Sequence, residues 1–153
     1  MRVLLDTTYF LPSIGVSLAQ VPWDVVFRMQ GKNDVFVSEL TLFELSAKGA
    51  KYVNAGLIPA VNVVQGVSAV LADEKLTKVP FTTPQIVETA INLRKQVRDY
   101  LDCTLLASAA QRCDLFLTED TELLRRGAGL DNVLKEINPD FAIKDWADVK
   151  RSV

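Results

Sequence analysis

The chain has 153 residues, of which 49% are hydrophobic and 24% are charged, and its formal net charge is −2. We expect one folded domain over residues 1–153; this composition excludes a disordered chain and a strongly basic nucleic-acid binder, although a local basic patch remains compatible with it. The absence of histidine excludes a Ser-His-Asp triad, a Cys-His pair and a histidine zinc site. No run of ~20 apolar residues and no signal-peptide layout is present, so we expect a cytoplasmic protein without a membrane partner.

The first third of the chain predicts two buried strands with helical segments after them. Residues 2–6 (RVLLD) and 34–38 (DVFVS) are short apolar runs, typical of strands covered on both faces in a parallel sheet. Between them we expect a short helical turn and then a helix near residues 20–31, with Pro22 in its first turn. Ser38 is a natural N-cap for the helix that follows the second strand.

The middle of the chain predicts two more helices and a weak strand. Apolar residues are so dense over 55–72 that no polar face remains, which indicates a helix that covers a partner or is deeply buried. We expect a homodimer interface there, with simple core packing as the alternative. Residues 76–79 predict a third strand. Thr83 and Pro84 then begin a helix that extends to about Tyr100, with an inward side formed by Ile86, Ala90, Leu93 and Val97.

Residues 100–123 predict a helix, a short buried strand at 114–118 (DLFLT) and the start of another helix. The core-facing side of the first helix is expected to contain Leu101, Leu105, Leu106 and Ala109. Cys103 and Cys113 would lie roughly 15 Å apart along one helix, too far for a disulfide, so we expect both thiols to be reduced.

The carboxyl-terminal segment is less strongly patterned. The helix after the fourth strand is expected to end at Gly127 or Gly129. Residues 132–137 (NVLKEI) are a possible fifth strand at the edge of the sheet, followed by an ordered tail that contains Phe141 and Trp146.

Four acidic residues occupy positions that are unusual for surface charges. Asp6 and Asp120 each follow the carboxyl end of a predicted strand, where parallel sheets bind their ligands. Asp102 shares a helical stripe with apolar residues, and so does Glu44, beside Leu40, Phe43 and Ala47. The alternative for Glu44 is a salt bridge with Lys48 one helical turn away.

The alternation of strands and helices predicts a parallel sheet flanked by helices, which can bring all four acids to one rim. Like charges so close repel each other unless cations lie between them, and oxygen ligands favour magnesium or manganese. Such an ion could activate water to attack a phosphodiester. Thr7 and Thr118 could support the site with their hydroxyls, or act only as helix caps.

These residues resemble the PIN-domain family of metal-dependent ribonucleases, which includes VapC-like toxins. The resemblance lies in the order and spacing of four motifs: LLDTT, SELTLFEL, LDCTLLASA and LTEDTEL. It implies a three-layer α/β/α fold with a mostly parallel five-stranded sheet, and cleavage of RNA with Mg2+ or Mn2+ held by Asp6, Glu44, Asp102 and Asp120. Glu122 is an optional further acid by this likeness. It also implies frequent homodimers and, for toxins, an antitoxin whose basic side chain enters the site.

RNA must approach an acidic site, so cations are expected around it. The candidates flank the acidic motifs in sequence: Lys48, Lys51, Arg94, Lys95, Arg98, Arg125 and Arg126. The alternative function is a non-catalytic PIN-fold module that binds protein or RNA. A phosphotransfer domain is disfavoured because no second acid accompanies Asp6 in its motif.

Overall fold

The computed structural model describes residues 1–153 and contains one sheet of five strands. The strands are β1 (Arg2–Leu5), β2 (Asp34–Ser38), β3 (Leu76–Val79), β4 (Leu115–Leu117) and β5 (Ala142–Lys144). All neighbouring strands are parallel, and their order in the sheet is β3-β2-β1-β4-β5. The predicted five-stranded parallel sheet is therefore confirmed.

One 3-10 helix (Thr7–Ile14) and eight α-helices connect these strands. The α-helices are α1 (Val25–Gln30), α2 (Glu39–Asn54), α3 (Ala60–Ala72), α4 (Pro84–Leu93), α5 (Tyr100–Arg112), α6 (Thr121–Leu124), α7 (Ala128–Ile137) and α8 (Trp146–Val149). None of them combines the length and the apolar character that a membrane-spanning helix needs.

The sheet separates two hydrophobic cores, which gives the predicted three layers. Leu4 of β1 packs in the core that contains α4, α5 and α7. Its neighbours Val3 and Leu5 pack in the other core, with the 3-10 helix, α1 and α8. This alternation follows from the strand geometry, in which successive side chains point to opposite faces. Both faces of β1 are covered beyond Arg2, so its other three residues are all apolar.

Several local predictions are confirmed. Strands β2 and β3 have the predicted bounds, and Ser38 caps α2 by accepting a hydrogen bond from the N–H of Leu40 at 3.2 Å. Cys103 and Cys113 are buried and unpaired, as expected. The inward side predicted for the helix after Thr83 is buried, and so are Phe141 and Trp146 in the tail.

The fifth strand was predicted in the wrong place. Residues 132–137 belong to helix α7, and the edge strand is β5, ten residues further along. The apolar residues of α7 are Leu130, Val133, Leu134 and Ile137, which is helical spacing. The predicted helix end at Gly127 or Gly129 is wrong for the same reason, because Gly127 is the N-cap of α7 and Gly129 lies inside it.

Other boundaries also differ from the prediction. Helix α1 begins at Val25, so Pro22 precedes it instead of lying in its first turn. The helix expected to reach Tyr100 ends at Leu93. Thr83 precedes Pro84 at the start of α4, but its hydroxyl makes no capping hydrogen bond and is buried without a partner.

The apolar segment 55–72 packs partly in the core and is partly exposed. Gly66 of α3 lies against the 3-10 helix so closely that a methyl group there would overlap the carbonyl of Ser13. The buried face of α3 is narrow and comprises Gly66 and Val70. Its outer face has three exposed apolar side chains at helical spacing, Val61, Val64 and Leu71. The segment therefore has residues available for core packing and for a homodimer contact, the two roles that the sequence predicted for it.

Candidate active site

The strand order creates a switch point between β1 and β4. The chain leaves β1 towards β2 on one side of the sheet, whereas β4 leads to β5 on the other side. Leu5 of β1 is paired with Leu117 of β4, so Asp6 and Thr118 emerge next to each other at the carboxyl ends. The N–H of Asp6 extends this pairing by donating to the carbonyl of Leu117 at 2.9 Å. Switch points of this kind leave a crevice where ligands bind.

Two buried threonine hydroxyls link three of the four predicted acids. Thr118 Oγ1 donates to Asp6 Oδ2 at 2.8 Å, and Thr7 Oγ1 donates to Glu44 Oε2 at 2.6 Å. The N–H of Thr7 donates to Asp6 Oδ1 at 2.7 Å, and the N–H of Asp120 donates to Thr118 Oγ1 at 3.1 Å. The result is one hydrogen-bonded chain of five residues: Glu44, Thr7, Asp6, Thr118 and Asp120. We call these residues, together with Asp102, the acidic edge.

Asp120 is positioned by the helix that it begins. Its Oδ1 accepts hydrogen bonds from the N–H of Glu122 at 2.7 Å and of Leu123 at 3.1 Å, so it caps α6. These bonds occupy Oδ1, whereas no hydrogen bond is made to Oδ2. The same carboxylate therefore anchors the backbone and retains one oxygen for a ligand.

Glu44 lies in α2 and reaches the acidic edge through Thr7. The apolar side on which it was predicted is wrong in part, because Phe43 is 67% exposed and the buried face of α2 contains Leu40 and Leu45. The alternative salt bridge is present, with Lys48 Nζ at 3.2 Å from Glu44 Oε1. Glu44 therefore contacts Lys48 with Oε1 and Thr7 with Oε2.

Asp102 lies in the first turn of α5 and belongs to no hydrogen-bonded pair, but it responds to the charge of the acidic edge. Burial, followed by the negative charges of Asp99, Asp120 and Asp6, raises the pKa of Asp102 to about 7. Leu101 beside it is exposed rather than core-facing, so the buried side of α5 begins at Cys103.

The pKa of Asp6 is also raised. Burial is the main cause, and the hydrogen bond from Thr118 opposes it. The negative charge of Glu44 raises this pKa further, while Lys48 and the N–H of Thr7 lower it. At both positions, burial and neighbouring acids disfavour the ionised carboxylate, and Lys48 offsets this at Asp6 only in part.

The donor atoms of the acidic edge fit a hard divalent cation. No group of three or more His, Cys, Asp or Glu side chains converges closely enough to hold one ion by itself. Magnesium, however, typically takes one or two protein carboxylates and completes its octahedral shell with water and substrate oxygens. The edge supplies oxygen donors only, and a cation there would stabilise the ionised carboxylates of Asp6 and Asp102, whose pKa values are raised by burial and by neighbouring acids.

A polar hollow of about 270 Å³ opens beside Asp102, and Glu122 lies in its wall. Glu122 is exposed on α6 and makes no salt bridge. The predicted optional acid therefore lines the same hollow as Asp102 and has no competing partner. A larger cavity of about 700 Å³ lies elsewhere, between the loop after the 3-10 helix and Trp146. No residue of the acidic edge lines it, and no group of acids or nucleophiles occurs in its wall.

The sequence reasoning missed one acidic residue that holds this region together. Glu119 Oε1 accepts hydrogen bonds from the hydroxyl of Tyr9 at 2.5 Å and from the N–H of Trp146 at 3.0 Å. Tyr9 is buried, and burial together with Glu119 raises its pKa far above the usual range, so its hydroxyl remains a donor. The only signal for this role in the sequence is the position of Glu119 directly after β4.

Together, the fold and the acidic edge define a class: three-layer α/β proteins with carboxylates gathered at the switch point of a parallel sheet. A comparison with family models matches the PIN domain over residues 3–129. The chain therefore belongs to the PIN domain family, as its four motifs predicted. The matched range contains every residue of the acidic edge.

A comparison with solved structures agrees with this fold. The crystal structure of VapBC2 from Rickettsia felis, bound to a DNA fragment from their promoter, matches with a TM-score of 0.63 and 14% sequence identity. The match covers 95% of this chain and 99% of that chain. The comparison with curated proteins finds no match.

Proposed function

We propose that this PIN domain is a divalent-metal-dependent endoribonuclease that uses Asp6, Glu44, Asp102 and Asp120, with Mg2+ or Mn2+ as its cofactor. PIN domains are generally nucleases, and the family generally uses divalent ions. The observation that carries the proposal is the unbroken hydrogen-bonded chain from Glu44 to Asp120, at whose centre the pKa of Asp6 is raised and only Lys48 offers a compensating positive charge. A protein maintains such repulsion only at a cost in stability, which favours a functional reason for it.

The residues of this edge would divide the work. Asp6 lies at the centre, with both of its carboxylate oxygens oriented by Thr7 and Thr118, so its position is fixed before any ligand arrives. Asp120 keeps Oδ2 available while Oδ1 caps α6. When bound, the divalent ion supplies positive charge and makes a water molecule acidic enough to attack phosphorus.

Asp102 would change its protonation state as the site fills. With a pKa of about 7, its carboxyl group is partly protonated at neutral pH when no cation is near. A positive charge at the acidic edge would lower that pKa, so that Asp102 would lose its proton and its carboxylate could help to hold the ion. The same positive charge reduces the repulsion between Asp6 and Glu44.

We propose a toxin role with a protein antitoxin as partner. The support is the likeness to the toxin-antitoxin complex VapBC2, together with the acidic edge, which would attract a basic side chain of a partner. The outer face of α3 has exposed apolar residues suited to a homodimer contact, namely Val61, Val64 and Leu71. A homodimer predicts a molecular mass in solution twice that of the chain.

The alternative is a non-catalytic module in which the same edge binds an ion or a basic peptide. Its support is that Lys48 already occupies one side of Glu44, which reduces the charge available to a metal ion. This alternative predicts binding of the ion without cleavage of RNA.

The test is cleavage of labelled single-stranded RNA with Mn2+ by the native chain and by Asp6→Asn. We expect the variant to be slower by about a hundredfold to a thousandfold, since a lost metal ligand costs several kcal/mol of transition-state stabilisation. Asp114→Asn is the matched control, because Asp114 lies at the opposite end of the sheet, and it should retain the native rate. Equal rates for the native chain and Asp6→Asn would reject the assigned residues.

A further inference from the structure

The hollow beside Asp102 is lined by cations as well as acids. Its wall contains three arginines from two connecting segments: Arg98 lies between α4 and α5, and Arg125 and Arg126 lie between α6 and α7. Asp102 and Glu122 form its acidic side. The hollow therefore joins the acidic edge directly to a basic surface. Of the seven cations that flank the acidic motifs in sequence, these three line the hollow.

Two of these arginines have no partner within the chain. Arg126 forms a salt bridge with Asp131, with Nε at 2.5 Å from Oδ1. Arg98 and Arg125 are exposed and form neither a salt bridge nor a side-chain hydrogen bond, although Asp102 and Glu122 line the same hollow. Two guanidinium groups are thus left with all their donors free beside a group of carboxylates.

The chemistry of this wall favours a ligand with phosphate oxygens. Guanidinium groups bind phosphate oxygens through two parallel hydrogen bonds, which a lysine cannot do. The helix α7 begins at Gly127 in the same wall, and its amino end adds partial positive charge to that of the arginines. The hollow is smaller than the roughly 300–1,000 Å³ of typical small-molecule sites, and most of its lining residues are polar.

We propose that this hollow binds a backbone phosphate of the RNA, next to the phosphodiester at the acidic edge, and that Arg98 and Arg125 contact its oxygens. This inference rests on the proposed nuclease function, since the RNA must lie across the acidic edge. The two arginines offset the repulsion between the phosphates and the carboxylates of the edge. Because both arginines lie on the Asp102 side of the acidic edge, they also determine from which side the RNA enters the site.

The experiment measures binding and cleavage separately. Binding of a fluorescein-labelled single-stranded RNA is measured by anisotropy in EDTA at several salt concentrations, for the native chain, Arg98→Gln and Arg125→Gln. We expect each variant to bind about fivefold to tenfold more weakly, which corresponds to the net contribution of one ordinary hydrogen bond. The slope of log K against log salt should fall by about 0.7 for each lost phosphate contact to a single strand.

Arg112→Gln is the matched control. Arg112 is an exposed arginine in the last turn of α5, roughly 15 Å along the helix from Asp102, and it forms no salt bridge. The Arg112→Gln substitution removes the same charge from the protein as the two test substitutions. It therefore corrects for the general electrostatic contribution to binding. We expect its affinity to change by less than about twofold, since only phosphates near a cation contribute to the slope.

The outcomes separate this inference from the nuclease proposal. Affinities for Arg98→Gln and Arg125→Gln that equal that of Arg112→Gln would overturn the phosphate site, whether or not the native chain cleaves RNA. Weaker binding by both variants supports the site even if no cleavage is found, and the nuclease proposal then fails alone. If the native chain cleaves RNA with Mn2+, we expect a higher KM with an unchanged kcat in both variants. A lower kcat with an unchanged KM would contradict a binding role.

Discussion

The two ends of the parallel sheet treat the same residue type in opposite ways. At the amino end, Asp114 lies before β4 and forms a salt bridge with Arg2, with Oδ1 at 2.5 Å from Nη2. The N–H of Arg2 also donates to Asp114, and these hydrogen bonds hold the pKa of that carboxyl below its usual value. At the carboxyl end, burial and neighbouring acids raise the pKa values of Asp6 and Asp102.

This difference separates acids with a structural partner from those that we propose to be functional. A carboxylate that joins two parts of the chain is stabilised by its partner and needs nothing further. Burial and neighbouring acids disfavour the ionised forms of Asp6 and Asp102, so a ligand of opposite charge would stabilise both carboxylates. Glu119 is informative because it lies at the carboxyl end but behaves like Asp114, with two donors of its own. A position at the carboxyl end of the sheet therefore does not by itself make an acid a candidate ligand. The hydrogen-bond and salt-bridge partners of each acid decide its role.

The largest expected effect is stabilisation by divalent ions. At a free Mn2+ concentration about 100 times its Kd, one bound ion stabilises the folded state by about 2.7 kcal/mol. We therefore expect Mn2+ to raise the melting temperature of the native chain, measured by calorimetry, and not to raise that of Asp6→Asn. Asp114→Asn should keep the increase, because its carboxylate lies at the amino end of the sheet. An equal increase in all three proteins would place the ion outside the acidic edge.

An effect of similar or smaller size is expected when Glu119 loses a donor. Tyr9→Phe removes the buried hydroxyl that donates to Glu119 while keeping the aromatic ring in the core. We expect a loss of about 1.5–3 kcal/mol in the free energy of unfolding, measured in urea, because the hydrogen bond is made to a charged group. The cleavage rate per folded molecule should stay within a few fold of the native rate. A loss of cleavage without a loss of stability would instead make Tyr9 part of the site.

The smallest effect concerns pH and compares Asp102 with Asp114 directly. The pKa of Asp102 rises from 3.8 to about 7 on folding, so the folded state binds more protons in that interval. The stability that this proton gives is present below about pH 4 and is lost as the pH rises through about 7. In EDTA at pH 8, Asp102→Asn should therefore be more stable than the native chain, by about 1 kcal/mol after allowance for solvent exposure.

Asp114 should show the opposite sign. Its pKa is lowered on folding, so its contribution is present above the unfolded value of 3.8 and disappears as the pH falls through the folded value. Asp114→Asn should melt below the native chain at pH 8 and approach it in strong acid. Melting curves of both variants between pH 3 and 8 check this prediction. Shifts of the same sign at pH 8 would contradict the contrast between the two ends of the sheet.

Much of the fold could be read from short apolar runs in the sequence. Strands β2 and β3 were predicted with their bounds. The signal for β2 was its run of successive apolar residues, as expected for a strand covered on both faces, whereas β3 gave only a weak signal because Thr77 and Lys78 interrupt its apolar residues. The prediction failed at 132–137, where a window of six residues concealed the helical spacing that begins at Leu130. Strand β5 has three residues, too few for any periodicity to appear.

The candidate site could be predicted as a set of residues but not as a geometry. Asp6 and Asp120 stood out because each follows a buried strand, and Glu44 and Asp102 because each shares a helical stripe with apolar residues. The resemblance to PIN domains then implied a common role for the four. The pairing of Glu44 with Thr7, across 37 positions, depends on how α2 packs against the 3-10 helix. No pattern within either segment contains that distance.

The sequence by itself determined the family, the parallel sheet and the identity of the acids, because these depend on local hydrophobicity and on motif order. The tertiary structure alone decided which acids find a partner far away in the chain. Arg2 forms a salt bridge with Asp114 and Tyr9 donates a hydrogen bond to Glu119, whereas Asp102 has no partner. The physical reason is that electrostatic energy depends on distance and burial, and these are set only when strands distant in sequence become neighbours in the sheet.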